Sequence, residues 1–150
     1  VYGDAALKLP VGETTFYIRV GVGLGHDIDE LSAYELGGNL LNVEGWTTTL
    51  HGYYTREIFA KDYVAVNTQF SFPITDWHNL AGHLYADFAD ANQLDGATRA
   101  WHTFTGVGAG VSFRGPWQTD IVINYGYGFD CIRNGDRGAH EAGFALEKNF

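Results

Sequence analysis

The chain is poor in several things at once. Among its 150 residues there is one cysteine, three prolines and no methionine. Cys131 alone can close no intrachain disulfide. Basic residues are also few: Lys and Arg number 9 against 18 Asp and Glu, for a formal charge of -9. Nucleic acid selects basic surfaces, so it is argued against as a partner. No apolar run approaches the roughly 18 residues of a spanning helix, which excludes a helical membrane protein. It does not exclude a membrane barrel, whose strands need apolar residues only at every second position. No secretory signal opens the chain, which reads as a mature protein or a fragment. The length suits one domain and is short for two.

Glycine and aromatic residues fill the gap. There are 20 glycines, and Phe, Trp and Tyr make up 15 %. Aromatics favour strands and glycine disfavours helices. Segment after segment then alternates with a period of two. In Phe16–Gly25, Phe16, Ile18, Val20, Val22 and Leu24 oppose Tyr17, Arg19 and three glycines. In Tyr63–Phe72, Val64, Val66, Thr68, Phe70 and Phe72 oppose Ala65, Asn67, Gln69 and Ser71. Thr105–Phe113 sets Val107, Ala109, Val111 and Phe113 against Gly106, Gly108, Gly110 and Ser112. Asp120–Phe129 sets Ile121, Ile123, Tyr125, Tyr127 and Phe129 against Asp120, Val122, Asn124, Gly126 and Gly128. Weaker copies cover Gly3–Leu9, Leu80–Ala89 and Ala139–Phe150, so about seven strands and no helix are predicted.

The connections alternate as well. Short turns are expected at Pro10–Glu13, Pro73–His78 and Arg114–Trp117; longer loops at His26–Asp62, Asp90–Ala100 and Asp130–Gly138, the last holding Cys131. Short turns on one side and long loops on the other characterise membrane barrels. A soluble β-sandwich with its Val, Ile and Phe face turned inward is the competing reading. Against it, the polar face is mostly Gly, Ser and Asn, with few of the Lys and Glu of a solvated sheet. Aromatics also gather at strand ends, at Phe70, Phe72 and Trp77, at Phe113 and Trp117, and at Trp101 and Phe104, as interfacial belts require. The expected fold class is all-β: an antiparallel transmembrane β-barrel, with seven or eight of its strands here. Counting back through the turns starts the first strand outside, whereas bacterial barrels have even strand numbers. Residues 1–150 are therefore expected to be the C-terminal part of a larger barrel. The rival is a closed eight-stranded barrel with an extra strand in Trp46–Tyr54.

Several blocks, taken in order, resemble the bacterial surface antigen superfamily. They are Ala33–Gly38, then Val43–Trp46 or Leu50–Tyr53, then Lys61–Tyr63 running into Phe70–Ile74. They match a Leu-Gly-Gly, an Arg-Gly-aromatic loop tip and a strand ending in aromatic-Pro-aliphatic. Tyr85–Ala89 is similar to the aromatic-x-Asp-x-Gly strand, and Gly106–Trp117 to the penultimate hairpin. Gly143, Phe144, Leu146 and Phe150 resemble the terminal strand signal, from which Lys148 departs.

The resemblance implies an outer-membrane barrel that inserts or translocates proteins, without enzymatic activity or cofactor. Its expected surroundings are the lipid bilayer, client outer-membrane proteins and periplasmic accessory proteins. The expected location is the outer membrane of a bacterium or of a bacterium-derived organelle. Two alternatives stay open: a barrel anchor or pore for an upstream patatin-like lipase, and a small stand-alone barrel for adhesion or binding. The resemblance also implies that a loop folds into the lumen and that its tip meets the wall at Asp87. Candidate loop residues are Gly37, Gly38, Glu44, Gly45, Trp46, His51, Gly52, Tyr53 and Arg56. The family's tip arginine is absent: Glu44 or His51 stands there. Glu44 beside Asp87 would repel, whereas His51, or Arg56 nearby, can pair with it. Charge thus favours Leu50–Tyr53 as the tip.

Other chemistry is weakly signalled. The Gly-x-Gly runs lie mid-strand, without the strand-turn-helix context of a nucleotide loop. His83, Asp87 and His102 are expected near the external ends of neighbouring strands, more simply as a lumen network than as a hydrolase. His26, His51, His78 and His140 show no metal-ligand spacing.

Overall fold

A computed structural model describes residues 1–26, 32–38, 47–94 and 100–148. Nine strands form one sheet: β1 (Tyr2–Val11), β2 (Thr14–Gly23), β3 (Tyr34–Leu36), β4 (Thr47–Thr48), β5 (Ile58–Thr75), β6 (Leu80–Gln93), β7 (Ala100–Arg114), β8 (Thr119–Arg133) and β9 (Asp136–Lys148). Seven of them build the wall in the order β1-β2-β5-β6-β7-β8-β9, each antiparallel to its neighbour. The only helical elements among the described residues are three-residue turns at Trp77–Asn79 and Pro116–Gln118. No pairing joins β1 to β9 among the described residues, so the sheet is open at both edges.

Alternation places the two faces as the sequence pattern requires. On the outer face, Val20 pairs with Val66, Val66 with Phe88, and Ile123 with Phe144. These side chains are not packed into a protein core. Phe88 is 44 % exposed, Val107 42 % and Phe144 58 %. A soluble sandwich would bury that row, so its exposure excludes the competing architecture. Trp77 and Trp117 stand exposed at the β5–β6 and β7–β8 turns, at one end of the wall. That is where an interfacial belt would lie.

The packed core lies on the other face, between the wall and the chain segment that crosses it. Leu36, Leu50, Tyr53 and Ile58 from that segment meet Tyr63, Ala65, Ala89, Ala91, Phe104 and Ala139 of the wall. Small wall residues here leave room for the crossing segment. β3 pairs antiparallel with the start of β5, and β4 parallel with β3. Among the described residues 47–54 of the extra strand entertained in Trp46–Tyr54, only Thr47–Thr48 forms a strand, and it pairs inside with β3 rather than with the wall.

Two connections differ from expectation. β5 begins at Ile58, so the first long loop ends before Asp62. The third is not a long loop at all: β8 and β9 join through Asn134 and Gly135, with φ of 54° and 88°. Asn-Gly at paired positive φ is the favoured two-residue hairpin turn. A register shift between Gly128 and Ile132 interrupts the alternation before it, which hides the strand's continuation. Cys131 accordingly lies in β8, buried, rather than in a loop.

Candidate functional site

Strand register assembles one inward-facing row from seven strands: Ala6, Arg19, Asn67, Asp87, Gly106, Gly128 and Ala139, each paired with the next. The row is polar towards β5 and β6 and bare glycine on β7 and β8. Below it runs Tyr85, Gly108 and Gly126, ending at Glu141. The segment Leu50–Tyr53 lies across both rows.

His51 holds the centre of this contact. Its backbone N–H donates to Asp87 Oδ2 at 2.7 Å and its Nδ1 meets the same oxygen at 2.6 Å. A carboxylate only accepts, so Nδ1 carries the proton. Asn67 Nδ2 donates to Asp87 Oδ1 at 2.9 Å and to the Thr49 carbonyl at 2.7 Å. The imidazole stacks on Tyr85 with ring centroids 4.1 Å apart. His51, Asn67 and Asp87 are all buried. An anionic side chain out of water needs such donors, because an unpaired buried charge is costly.

The glycines are spatial requirements of this contact. A Cβ on Gly106 would stand 2.2 Å from the His51 carbonyl oxygen, and one on Gly128 2.7 Å from the Tyr53 ring. Gly52 has φ of +87°, and a Cβ on it would stand 1.9 Å from the Gly128 nitrogen. The backbones of loop tip and wall approach closely because neither carries a side chain between them. Beyond the tip, the Tyr53 hydroxyl donates to the Thr105 carbonyl at 3.1 Å and accepts the Asp130 N–H at 3.3 Å. Burial pushes the Tyr53 hydroxyl up to about 12.

The remaining candidates divide into four groups. Gly37 and Gly38 lie at the loop's entry, with N–H groups donating to the Thr48 and Tyr53 carbonyls. Arg56 does not reach Asp87. It pairs with Glu35 at 2.8 Å and is half exposed, because positive φ at Arg56 turns the chain outward before β5. Glu44, Gly45, Trp46 and Phe150 lie outside the described residues. Gly143, Phe144 and Leu146 belong to β9, with Phe144 and Leu146 exposed on the outer face.

His83 is not at an external end. It sits near the short β5–β6 turn, with Nδ1 2.9 Å from Ser71 Oγ and Nε2 2.7 Å from Ser112 Oγ. His102 is exposed towards the opposite end of β7. Four turns of pleat therefore separate the histidines, and His83 has hydroxyl partners of its own.

Three residues of the site carry no sequence signal that singles them out: Asn67, Glu57 and Arg133. Glu57 receives Arg133 Nε at 3.1 Å and Nη2 at 2.6 Å, and the Tyr54 N–H at 2.6 Å. Burial works to raise the Glu57 carboxyl. The Arg133 fork, the Tyr54 N–H and the Cys131 thiol outweigh it and hold the group below its ordinary range. Parity would have placed Asn67 on the inner row with Asp87, once β5 and β6 were paired.

A family model, the Omp85 superfamily domain, matches residues 1–147. The chain belongs to the Omp85 superfamily. No curated protein and no solved structure gives a significant match. The antiparallel seven-stranded wall is the β-barrel type of sheet of the Omp85 superfamily, with its aliphatic rows exposed. Membership associates the chain in general terms with the outer membrane and with protein insertion or translocation there.

Proposed function

We propose that this Omp85 chain is the C-terminal wall of a larger barrel that inserts or translocates client proteins at the bacterial outer membrane. Under this reading the segment Leu36–Tyr54 is a lumen brace, His51-Gly52-Tyr53 its tip and Asp87 its wall contact. The carrying observation is the two-faced wall. Its aliphatic face is exposed, while its inner face is cut back to glycine where the loop tip lands.

Under this reading β9 is one side of the barrel's seam: β8 pairs one of its edges, and the backbone N–H and C=O groups of the other are what an incoming strand can use. A barrel closed by a weak seam offers that edge to a client without unfolding the rest. Clients and periplasmic accessory proteins are the implied partners, with Gly143, Phe144 and Leu146 in the strand that forms one side of the seam.

The test is reconstitution of the whole protein in lipid vesicles with an unfolded outer-membrane barrel as client. The client should acquire its folded, heat-modifiable mobility faster than in vesicles without the protein. Equal rates in both would sink the reading.

A further inference from the structure

Arg133 closes β8, yet its side chain turns to the folded loop. Nε and Nη2 form a fork on Glu57, and Nη2 also approaches the Gly52 carbonyl at 3.4 Å. Its Cζ lies 3.5 Å from the centroid of the Tyr54 ring. Nη1 donates at 3.1 Å to the carbonyl of His140, which belongs to β9. One guanidinium thus joins three residues of the loop to the strand at the edge of the sheet. Few groups can do this: five N–H donors in a rigid plane permit a fork, a lateral donor and ring stacking at once.

A second thread runs beside the first. Tyr53 accepts the Asp130 N–H, and Asp130 Oδ1 receives Arg137 of β9 at 2.5 Å. Both threads run from the loop through the end of β8 to β9. On the other side, the loop is held by Asp87 and Asn67 of β6 and β5.

We infer that Arg133 is a positioning residue that couples the loop to the turn end of the edge strand: with the loop seated, residues 136–140 of β9 are held against β8, and with it lifted that end frays while the rest of the ladder stays paired. The insertion reading gives this coupling its purpose, since β9 is one side of the seam and the firmness of its turn end sets how that edge meets a client. The coupling itself requires only the contacts above.

Hydrogen exchange on the whole protein in lipid vesicles tests it, read on peptides covering 50–57, 136–140 and, as a control, 80–90. Arg133→Gln should raise exchange in the first two together, by roughly tenfold for a lost charge-assisted hydrogen-bond pair. The control should stay unchanged. Arg133→Lys keeps the charge and loses the fork, so it should fall between wild type and Arg133→Gln. It also serves as the folded comparison if Arg133→Gln fails to assemble. Glu57→Gln added to Arg133→Gln should change little further. A rise confined to 136–140, or to 50–57, overturns the coupling. Exchange is read without a client, so the clasp stands or falls apart from the insertion assay.

Discussion

Asp87 Oδ2 takes two hydrogen bonds from one residue, His51, through its backbone N–H and its Nδ1. The consequence is an asymmetry between the partners. Removing the imidazole leaves the backbone donor in place, and Asn67 still serves the other oxygen. Removing the carboxylate leaves three buried donors without an acceptor.

Asp87→Ala should therefore be the more damaging change, by about 3 kcal/mol, the usual cost of breaking a buried pair. His51→Ala should lose the charged bond and the Tyr85 stack, and fall short of that. Heat-modifiable mobility on gels, followed against temperature, reads both. An unchanged unfolding temperature for Asp87→Ala would remove it as the loop's wall contact.

Glycines at four different places separate steric from conformational effects. Gly106→Ala drives a methyl into the His51 carbonyl, and Gly52→Ala adds unfavourable φ to a clash with the Gly128 backbone. Neither neighbour is a flexible side-chain end that can step aside. Each change should cost at least about 2 kcal/mol and unseat the tip. Gly135→Ala has open space around its Cβ and only the φ penalty, about 1 kcal/mol. Gly3→Ala, with open space and ordinary φ, should be neutral. Limited proteolysis of the loop, ranked across the four variants, checks the order.

How much of this was legible beforehand follows from the range of each interaction. The facing of β2, β5, β7 and β8 could be read because a period of two is a local property of four or five residues. The β8–β9 hairpin could not, since the register shift after Gly128 breaks the period just before an Asn-Gly that signals the turn. His51 and Asp87 are 36 residues apart, and only the resemblance and the charge at the tip connect them in sequence. Glu57 and Arg133 are 76 apart and have neither. Nothing local distinguishes them from other charges at strand ends. Their pairing exists only once the loop has crossed the wall.

Glu57 should make loop attachment depend on acid. Burial favours its neutral form, but the Arg133 fork, the Tyr54 N–H and the Cys131 thiol favour the carboxylate more, so its folded value lies below the ordinary 4.5. A lowered folded value stabilises the seated loop above the unfolded value, and that contribution is lost as pH falls through the folded one. Arginine remains charged throughout this window. Wild type should lose loop protection against an acid-active protease more steeply below pH 4.5 than Glu57→Gln, which lacks the titrating group. Parallel pH profiles for the two would show that Glu57 does not contribute.

The last test concerns which face meets lipid. Val107 and Ile123 project from the middle of β7 and β8 on the exposed aliphatic face. Val107→Lys or Ile123→Lys would carry a charge into hydrocarbon, at a cost of about 2–4 kcal/mol near the bilayer midplane. Gln69, on the inner face of β5, faces the polar side, where Ser71 and His83 already provide partners. Gln69→Lys should therefore be tolerated to within about 1 kcal/mol, since a lumen charge stays in contact with water. Folding yield into lipid vesicles, compared with stability in mild detergent, discriminates the two. Detergent yields to a charge more readily than a bilayer does, so the outer-face variants should fail in vesicles first. Equal vesicle yields for the outer and inner lysines would mean that this face is not the lipid face.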